Sequence, residues 1–427
     1  MRSNLLIKAA IAACSVVLLS CSSSEEEQVG TKKKFVNMVA ERQSVQLTPE
    51  QRVFVKDNNK FSMNFLKTVN EGNQSGNSFV FSPLSITYVL GMVNDGSTGT
   101  TEKELEETLG FHSGGIKAVN EYCKNLIENL PKADNNVTLD IANAIFLNKR
   151  YSLKEQFRQD MKRYYDAQAE ALDFGSPETL NHINGWCKEK TNGMIPSIIE
   201  KVDEKMVSYL LNAIYFKADW AAKFDPKNTR NETFTTERGG KEMPMMHQNV
   251  YISYLKNETF SAVRIPYGNQ MWSMTVMLPE EGKTTDDVIN LLAQDDWKEF
   301  DNSLYQPYEV NLSLPRFETS SSTDDMAGGL ISLLKKMGIR KVFDKENMEI
   351  VNIANTPLYI GMMRQKAAIK VNEKGSEAAA VTVAGMEYTA VEEFELPKAD
   401  FHANRPFVYV ISEASSGVIL FVGKFNG

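Results

Sequence analysis

The sequence is poor in histidine, which serves as a base or a metal ligand in many hydrolytic and metal-dependent active sites. Its four histidines are scattered and none stands in the HExxH spacing of a zinc protease: His112, His182, His247 and His402. The patterns of a nucleophile elbow (GxSxG), a P-loop and a dinucleotide-binding turn (GxGxxG) do not occur either. We therefore expect a protein that is not an enzyme and that carries neither a metal nor a cofactor.

Cysteine and basic charge are also scarce. Of the four cysteines, Cys123 and Cys187 fall in the body of the chain, and two cysteines in 427 residues do not make a disulfide scaffold. Whether these two pair is open at this level. Lysine and arginine together number 47 against 55 acidic residues, a net charge of -8. Because no basic field is present, nucleic acid is not an expected partner.

The front of the chain carries a targeting segment. Arg2 and Lys8 precede an apolar run, Ala9 to Leu19, that is too short to span a membrane, so residues 1–20 are predicted to be a signal peptide. Leu18 to Cys21 resembles a bacterial lipobox in which Cys21 is lipidated, and residues 21–47 then form the lipidated N-terminus and a flexible tether. The expected location is the outer membrane or cell surface, with membrane contact only through Cys21. Because Leu19 is not the commonest residue at its position, plain secretion is the alternative.

The body alternates between helical and strand periodicities without a fixed repeat, which is typical of a single α+β domain. Thr48 to Gln51 and Thr101 to Glu104 read as capping boxes, and Ser82 reads as the cap of a helix whose first residue is proline. Ser208 to Phe216 is almost continuously apolar, as expected of a central strand covered on both faces. Two apolar runs near the C-terminus, within 407–411 and 418–422, predict a buried hairpin.

One stretch, Gly375 to Thr389, has the small side chains of an exposed loop together with the hydrogen-bonding capacity of a strand. No proline lies between Pro357 and Pro397, and no charge lies between Glu377 and Glu387. As a strand it would place Ser376, Ala378, Ala380, Thr382, Ala384 and Met386 on one face. A permanent strand and an alanine-rich linker are the alternatives on pattern alone. The flanking residues favour a loop that becomes a strand.

The flanks resemble a known family. Asn372 to Ala380 is similar to the proximal hinge of the serpins, the serine protease inhibitor superfamily, and Phe401 to Phe407 resembles their C-terminal signature. Further similar motifs include Asn77 to Ile86 and Met243 to Gln248, so that the resemblance covers nearly the whole chain beyond the leader. It implies a serpin fold over residues 48–427, with three β-sheets, surrounding helices and an exposed reactive loop at about 373–397.

The resemblance also implies roles for individual residues. The hinge would comprise Glu373, Gly375, Ser376, Glu377, Ala378, Ala379 and Ala380. The breach, where the loop first enters the main sheet, and the shutter beneath the sheet would comprise Trp220, Arg316, Ser82, Ser85, Asn212 and Gln365. Gln365 stands where the family commonly has a histidine, so this position cannot change its charge with pH. We predict an ion pair between Glu373 and Arg316. Ordinary core roles are the alternatives: a helix cap for Ser82, partners for a buried Asn212 and core filling for Trp220.

The implied function is that of a suicide substrate for serine proteases, and by extension cysteine proteases. Cleavage is expected near Thr389 and Ala390, with Tyr388, Glu387 and Met386 as alternatives because the segment is long on the far side of the bond. Small residues there suit an elastase-like protease, and Tyr388 suits a chymotrypsin-like one. The expected partner is the target protease in a covalent complex with a monomer of this chain. The competing interpretation is a non-inhibitory serpin that binds ligands or has a structural role.

Overall fold

The computed structural model describes residues 42–236, 238–376 and 396–427, and two of its helices begin at the predicted caps. Thr48 Oγ1 accepts a hydrogen bond from the Gln51 amide at 3.1 Å, and the Gln51 side chain accepts one from the Thr48 amide at 3.2 Å. Ser82 caps the next helix in the same way through the amide of Ser85, at 3.2 Å. The helices of the described residues are α1 Pro49–Gly72, α2 Pro83–Asp95, α3 Gly99–Leu109, α4 Gly115–Asn129, α5 Glu155–Tyr165, α6 Glu178–Lys190, α7 Thr285–Leu292, α8 Trp297–Ser303 and α9 Gly329–Lys336.

The capping box predicted at Thr101 to Glu104 is wrong. Helix α3 begins earlier, at Gly99, and Thr101 is a buried residue within it. The amide of Thr101 donates to the carboxylate of Glu349 at 2.6 Å, and Glu104 accepts from backbone amides near residue 340. A carboxylate from a distant segment thus caps this helix, because it accepts from the Thr101 amide, one of the free amides of the first turn.

The strands form two hydrogen-bonded networks. In chain order they are β1 Phe79–Phe81, β2 Val137–Asn148, β3 Gln168–Leu172, β4 Ser208–Asp219, β5 Arg230–Thr236, β6 Gly239–Lys256, β7 Phe260–Tyr267, β8 Trp272–Pro279, β9 Pro307–Pro315, β10 Phe317–Ser322, β11 Lys366–Val371, β12 Gly375–Ser376, β13 Lys398–His402, β14 Phe407–Glu413 and β15 Ile419–Phe425. The six-stranded network has the order β10-β11-β12-β4-β2-β3.

Strand β4 lies inside this six-stranded sheet and is buried on both faces, as predicted. Ile214, Phe216 and Ala218 belong to the main hydrophobic core, whereas Leu211 and Ala213 pack in a second cluster with residues of α6. Successive side chains of a strand point to opposite faces, so these two sets mark the two sides of the sheet. The face that carries Ala218 is therefore the one turned toward the main core.

The nine-stranded network has two parts that share one long strand. β6 pairs with β5 along 239–245, with β9 along 245–253 and with β7 along 253–256. β9 in turn pairs with β13, whereas β7 leads through β8 and β14 to β15 and β1. This division fits the predicted α+β fold of one large domain with three sheets. The C-terminal hairpin of β14 and β15 is also present, with every residue buried.

The structure bears on the state of the two cysteines, on the end of the predicted tether and on membrane-spanning helices. Cys123 and Cys187 are both buried and unpaired, in different core clusters. The end of the predicted tether packs against the body: Val45 is 5% exposed and its amide donates to Ser415 Oγ at 2.9 Å, and Arg42 donates to the Asn269 carbonyl at 3.0 Å. Over the described ranges, none of the helices has the length and apolar character needed to span a bilayer.

Candidate functional site

Strand β9 holds both ends of the segment that contains the predicted reactive bond. On the distal side, the Glu309 amide donates to the Pro397 carbonyl at 2.9 Å, and β13 then runs parallel to β9 from Lys398 onward. On the proximal side, Arg316, the residue immediately after β9, pairs with Glu373. Seven residues of extended strand separate Glu309 from Arg316, a span of roughly 23 Å at about 3.3 Å per residue. The two feet of the loop are therefore fixed by one strand.

The predicted ion pair between Glu373 and Arg316 is confirmed. The Glu373 carboxylate, in a residue only 8% exposed, also accepts a hydrogen bond from Thr229 Oγ1 at 2.7 Å. Its carbonyl accepts from the Phe224 amide at 3.0 Å. Burial raises the pKa of Glu373, but the hydrogen bonds from Arg316 and Thr229 outweigh it and hold the pKa below its usual range. The carboxylate is thus charged and fixed at neutral pH.

Trp220 lies directly against this turn. Its ring stacks on Tyr267, with centroids 4.4 Å apart and planes 9° from parallel. The indole Nε1 donates to the Asn372 carbonyl at 2.9 Å, and the Trp220 amide donates to the Lys374 carbonyl at 2.7 Å. The indole and the backbone of Trp220 therefore hold the turn that precedes Gly375.

Ser376 is the last residue described before the segment 377–395. It is 1% exposed, and its hydroxyl lies 2.6 Å from the hydroxyl of Tyr267. Burial raises the pKa of Tyr267, so that its hydroxyl stays neutral and available for this hydrogen bond. Sequence reasoning missed Tyr267 and Thr229. The turn residues that follow Tyr267, Gly268 and Asn269, do mark the end of a strand, but no local signal names the partner across it.

β12 occupies the interval between β4 and β11. It is antiparallel to both, with Gly375 opposite Asp219, Ser376 opposite Ala218, and Ser376 also opposite Val371. Among the described residues, β4 and β11 are joined through β12 and share no ladder of their own. A Cβ atom at Gly375 would lie 2.0 Å from the Ala218 carbonyl oxygen, so only glycine permits this approach of the two strands.

The four residues predicted at the shutter come together beneath the sheet. Gln365 forms two hydrogen bonds with the backbone of Ser82: its Oε1 accepts from the amide at 3.1 Å, and its Nε2 donates to the carbonyl at 2.8 Å. Ser85 Oγ donates to Asn212 Oδ1, and Asn212 Nδ2 donates to Asn143 Oδ1 at 2.7 Å. Asn143, which sequence reasoning missed, also donates to the Tyr165 carbonyl at 2.8 Å. The cluster thus connects α2 to β2, β4 and the residue just before β11.

The remaining predicted residues fall outside the described ranges. They are the hinge residues Glu377, Ala378, Ala379 and Ala380, the candidate cleavage positions Met386, Glu387, Tyr388, Thr389 and Ala390, and the lipidation candidate Cys21. Among the hinge residues, the structure describes Glu373, Gly375 and Ser376, which lie in one turn and the short strand that follows it.

Known proteins are similar to this chain in sequence and in structure. Residues 56–427 match the profile of the family described as "Serpin (serine protease inhibitor)". The chain is 31% identical to the leukocyte elastase inhibitor of Sus scrofa over 384 residues, which cover 86% of this chain and 98% of that protein. Members of this family are protease inhibitors and not enzymes.

Two solved structures are similar over most of the chain. The thermophilic serpin tengpin in its native state superimposes with a TM-score of 0.76 at 25% identity, over 92% of this chain and 97% of that one. Thyroxine-binding globulin in complex with thyroxine gives 0.75 at 27% identity, over 87% and 98%. The family profile covers far more than half of the sequence, and the hinge and shutter motifs lie within it. The chain belongs to the serpin family.

Proposed function

We propose that this chain inhibits proteases as a suicide substrate, and that Gly375 to Thr389 inserts between β4 and β11 once the loop is cleaved. The observation that supports this most strongly is the position of β12. Its two residues already pair with both neighbours at one end of the interval, in the antiparallel direction that a longer inserted strand would follow. Extension of this strand therefore needs no change of direction or register.

The register supports the same conclusion. Continued one residue at a time from Ser376 and Ala218, it brings Thr382 opposite Asn212. Continued from Ser376 and Val371 along the other side, it brings Thr382 opposite Gln365. Both extensions thus place the same residue above the shutter cluster. Side chains alternate, so Ala378, Ala380 and Thr382 would share the inward face with Ser376, and all are small enough for a packed interior.

The proposed chemistry begins as ordinary proteolysis. The protease serine Oγ attacks the carbonyl carbon of Thr389, the Thr389–Ala390 amide bond breaks, and the amine of Ala390 leaves with a proton. An ester then joins Thr389 to the protease. Insertion of about 14 residues at roughly 3.3 Å each would carry that ester some 46 Å. Hydrolysis by water would normally release the enzyme, but distortion of its active site by about 1 Å already slows such a step ~100-fold.

The free energy gained by inserting the loop would be large enough to distort the attached protease. About ten further residues beyond Ser376 would each add ladder hydrogen bonds, with a net gain of ~0.5–1 kcal/mol per bond. Burial of alanine and valine side chains adds to this. The total is on the order of 10 kcal/mol, which is comparable to the whole stability of many domains.

The predicted bond indicates the class of target. Thr389 and Ala390 suit a protease with a small specificity pocket, and the similar mammalian protein is called a leukocyte elastase inhibitor. Tyr388 would direct a chymotrypsin-like enzyme one residue away, and Glu387 or Met386 would serve other pockets. We propose an elastase-like serine protease as the main target, with chymotrypsin-like and cysteine proteases as further ones.

The test is formation of a covalent adduct. We expect incubation with an elastase to give an SDS-stable complex, and mass spectrometry of the released peptide to begin at Ala390. Ser376→Arg places a long cation on the buried face, so we expect this variant to be cleaved without forming the complex. Glu377→Arg, on the opposite face by alternation, is the matched control and should still trap the protease. Equal trapping by both variants, or none by the natural protein, would contradict the proposal.

A second candidate function is ligand binding without inhibition. One structural neighbour is a globulin bound to thyroxine, so similar chains do bind small molecules. The two candidates differ in the fate of an attacking protease. A binding protein would be cleaved with no adduct, and the natural chain would then behave like the Ser376→Arg variant. The small, uncharged residues from Ala378 to Met386 favour the inhibitor.

We further propose that the chain is exported and anchored at the outer membrane or cell surface through lipid on Cys21, and that its body is monomeric. The supporting features are the leader and the Cys21 motif. Labelled fatty acid should enter the natural protein and not a Cys21→Ser variant. Labelling that persists in the variant would reject the anchor and leave plain secretion as the alternative.

A further inference from the structure

We propose that Tyr305, two residues before β9, is a docking contact for the target protease outside the reactive loop. This inference rests on the proposed inhibitory function. Tyr305 is 78% exposed, and among the large apolar side chains of the described residues the next, Val53, reaches 51%. Gln306 and Pro307 beside it are exposed as well. A large aromatic ring in water has no stabilising role in the fold, whereas tyrosine is enriched at protein interfaces.

Tyr305 belongs to a small aromatic surface. The rings of Tyr254 and Tyr308 lie 5.1 Å apart and both are half-buried at the same end of the sheet. The Tyr254 amide donates to the Gln306 carbonyl at 3.4 Å, which ties the loop carrying Tyr305 to the end of β6. Rigid aromatic side chains on a fixed backbone make contacts at low entropic cost. This surface, formed by Tyr254, Tyr305, Pro307 and Tyr308, is called the β9 corner below.

The β9 corner adjoins the distal foot of the loop. The Glu309 amide donates to the Pro397 carbonyl, and Lys398 pairs with the Glu309 carboxylate at 3.9 Å. The chain therefore returns to the sheet beside Glu309, which is only two residues beyond Pro307. Covalent geometry sets the reach from there. From Ala390 to Pro397 is seven residues, which span at most about 25 Å when fully extended.

The diameter of a protease determines which parts of this chain it would contact around the Thr389–Ala390 bond. A domain of about 230 residues has a radius of gyration near 17 Å and a diameter of roughly 45 Å. A body of this width, centred on the Thr389–Ala390 bond, extends about 22 Å to either side. This half-width is close to the maximal reach of about 25 Å, so any path of the segment that falls a few ångströms short of full extension would bring the rim of the protease to the distal foot. The exposed ring of Tyr305 is the side chain there best suited to an apolar or aromatic rim. The occupant of the β9 corner is the protease itself, in the complex that precedes cleavage.

The experiment compares association rates. Tyr305→Ser should lower the second-order rate constant for elastase capture about tenfold, as for an interface tyrosine. The number of inhibitor molecules consumed per protease and the melting temperature should not change, because Tyr305 supports neither insertion nor the core. Tyr359→Ser, which removes another exposed tyrosine, is the matched control and should leave the rate unchanged. Tyr305→Phe should keep most of the natural rate if the ring makes the contact.

The outcomes separate this inference from the function on which it rests. If the natural protein forms no adduct, the proposed function fails. If it forms adducts and Tyr305→Ser forms them at the natural rate, only the docking role of Tyr305 is overturned. A slower rate that appears equally in Tyr359→Ser, or that comes with a lower melting temperature, would also overturn it.

Discussion

At the scale of single residues, the hinge is held by a few side chains whose partners are distant in sequence. Glu373 is placed between Arg316 and Thr229, and Ser376 against Tyr267. Each contact joins the end of the loop to the rigid sheet beneath it. Because the Glu373 carboxylate and the Ser376 hydroxyl both have partners, the turn before Gly375 is held in place at the point where it leads toward the predicted reactive loop. The loop is therefore anchored at the point from which insertion would start.

The ion pair at Glu373 predicts a pH dependence. A carboxylate whose pKa is lowered in the folded state stabilises the protein above its unfolded pKa, and the stabilisation is lost as the pH falls through the folded pKa. The contribution should be complete above the ordinary glutamate value of about 4.5 and should fade below it. Because Arg316 is half-exposed and screened by solvent, we expect Glu373→Gln to lower the free energy of unfolding at pH 7 by only about 1 kcal/mol.

Urea unfolding of the natural protein and of Glu373→Gln at pH 7 and at pH 3 measures this difference. The gap between the two proteins should narrow at the lower pH. Glu318→Gln is the control, since Glu318 pairs with Lys370 at the surface and should change stability by a few tenths of a kcal/mol. A gap that widens on acidification would show that the carboxylate does not act through its charge.

At the scale of elements, two strands decide what the loop can do. β9 fixes both feet of the loop, and β12 fits between β4 and β11 with its register set on each side. Because β12 is two residues long, the edge of β4 that faces away from β2 has no described strand partner along 208–217. This arrangement leaves room for a longer strand between β4 and β11, as the proposed insertion requires.

Gly375→Ala tests the role of β12. The added Cβ would meet the Ala218 carbonyl at 2.0 Å, so β12 must move away from β4. We expect a loss of about 1–3 kcal/mol of stability, faster amide exchange at Trp220, and more inhibitor consumed per protease captured. Gly185→Ala, in α6 with no atom within 4 Å of its added Cβ, is the control. It should be neutral or stabilise by about 0.5–1 kcal/mol. Identical exchange at Trp220 in both variants would contradict this role.

At the scale of the whole molecule, the native chain is predicted to be less stable than its cleaved form. Among the described residues, only Gly375 and Ser376 lie between β4 and β11, and the shutter cluster of Ser82, Ser85, Asn212 and Gln365 lies where a longer inserted strand would pass. The main core lies beneath both strands that flank β12, since β4 and β11 contribute to the same hydrophobic cluster. Insertion would therefore lengthen β12 within the six-stranded sheet, above a core that is already packed.

Cleavage of the loop should raise the melting temperature. A gain on the order of 10 kcal/mol corresponds to an upward shift on the order of 10 °C, because a domain of about 380 residues has an unfolding entropy of about 0.8 kcal/mol per degree. A protease that nicks the loop without being trapped supplies the cleaved protein, and both forms are melted at one scan rate because unfolding of large domains is often irreversible. Nicked Ser376→Arg is the control and should not shift. An unchanged or lower melting temperature in the natural protein would exclude insertion.

The sequence by itself determined the local structure and the character of the loop. The caps at Thr48 and Ser82, the doubly buried strand β4 and the terminal hairpin follow from spacing and side-chain type, which act between near neighbours. The resemblance added the pairing of Glu373 with Arg316. Composition predicts that Gly375 to Thr389 could be a loop that becomes a strand, since the segment is rich in small residues, uncharged over a long run and free of proline.

Only the tertiary structure decided which distant groups meet. Thr101 is not the predicted cap but lies within α3 and donates its amide to Glu349. Tyr267 and Thr229 contact the hinge, and Asn143 belongs to the shutter cluster. The physical reason is the same in each case. A buried donor or acceptor takes whichever partner the packed chain brings within hydrogen-bonding distance, and that choice depends on the crossing of strands and helices, which local patterns do not specify.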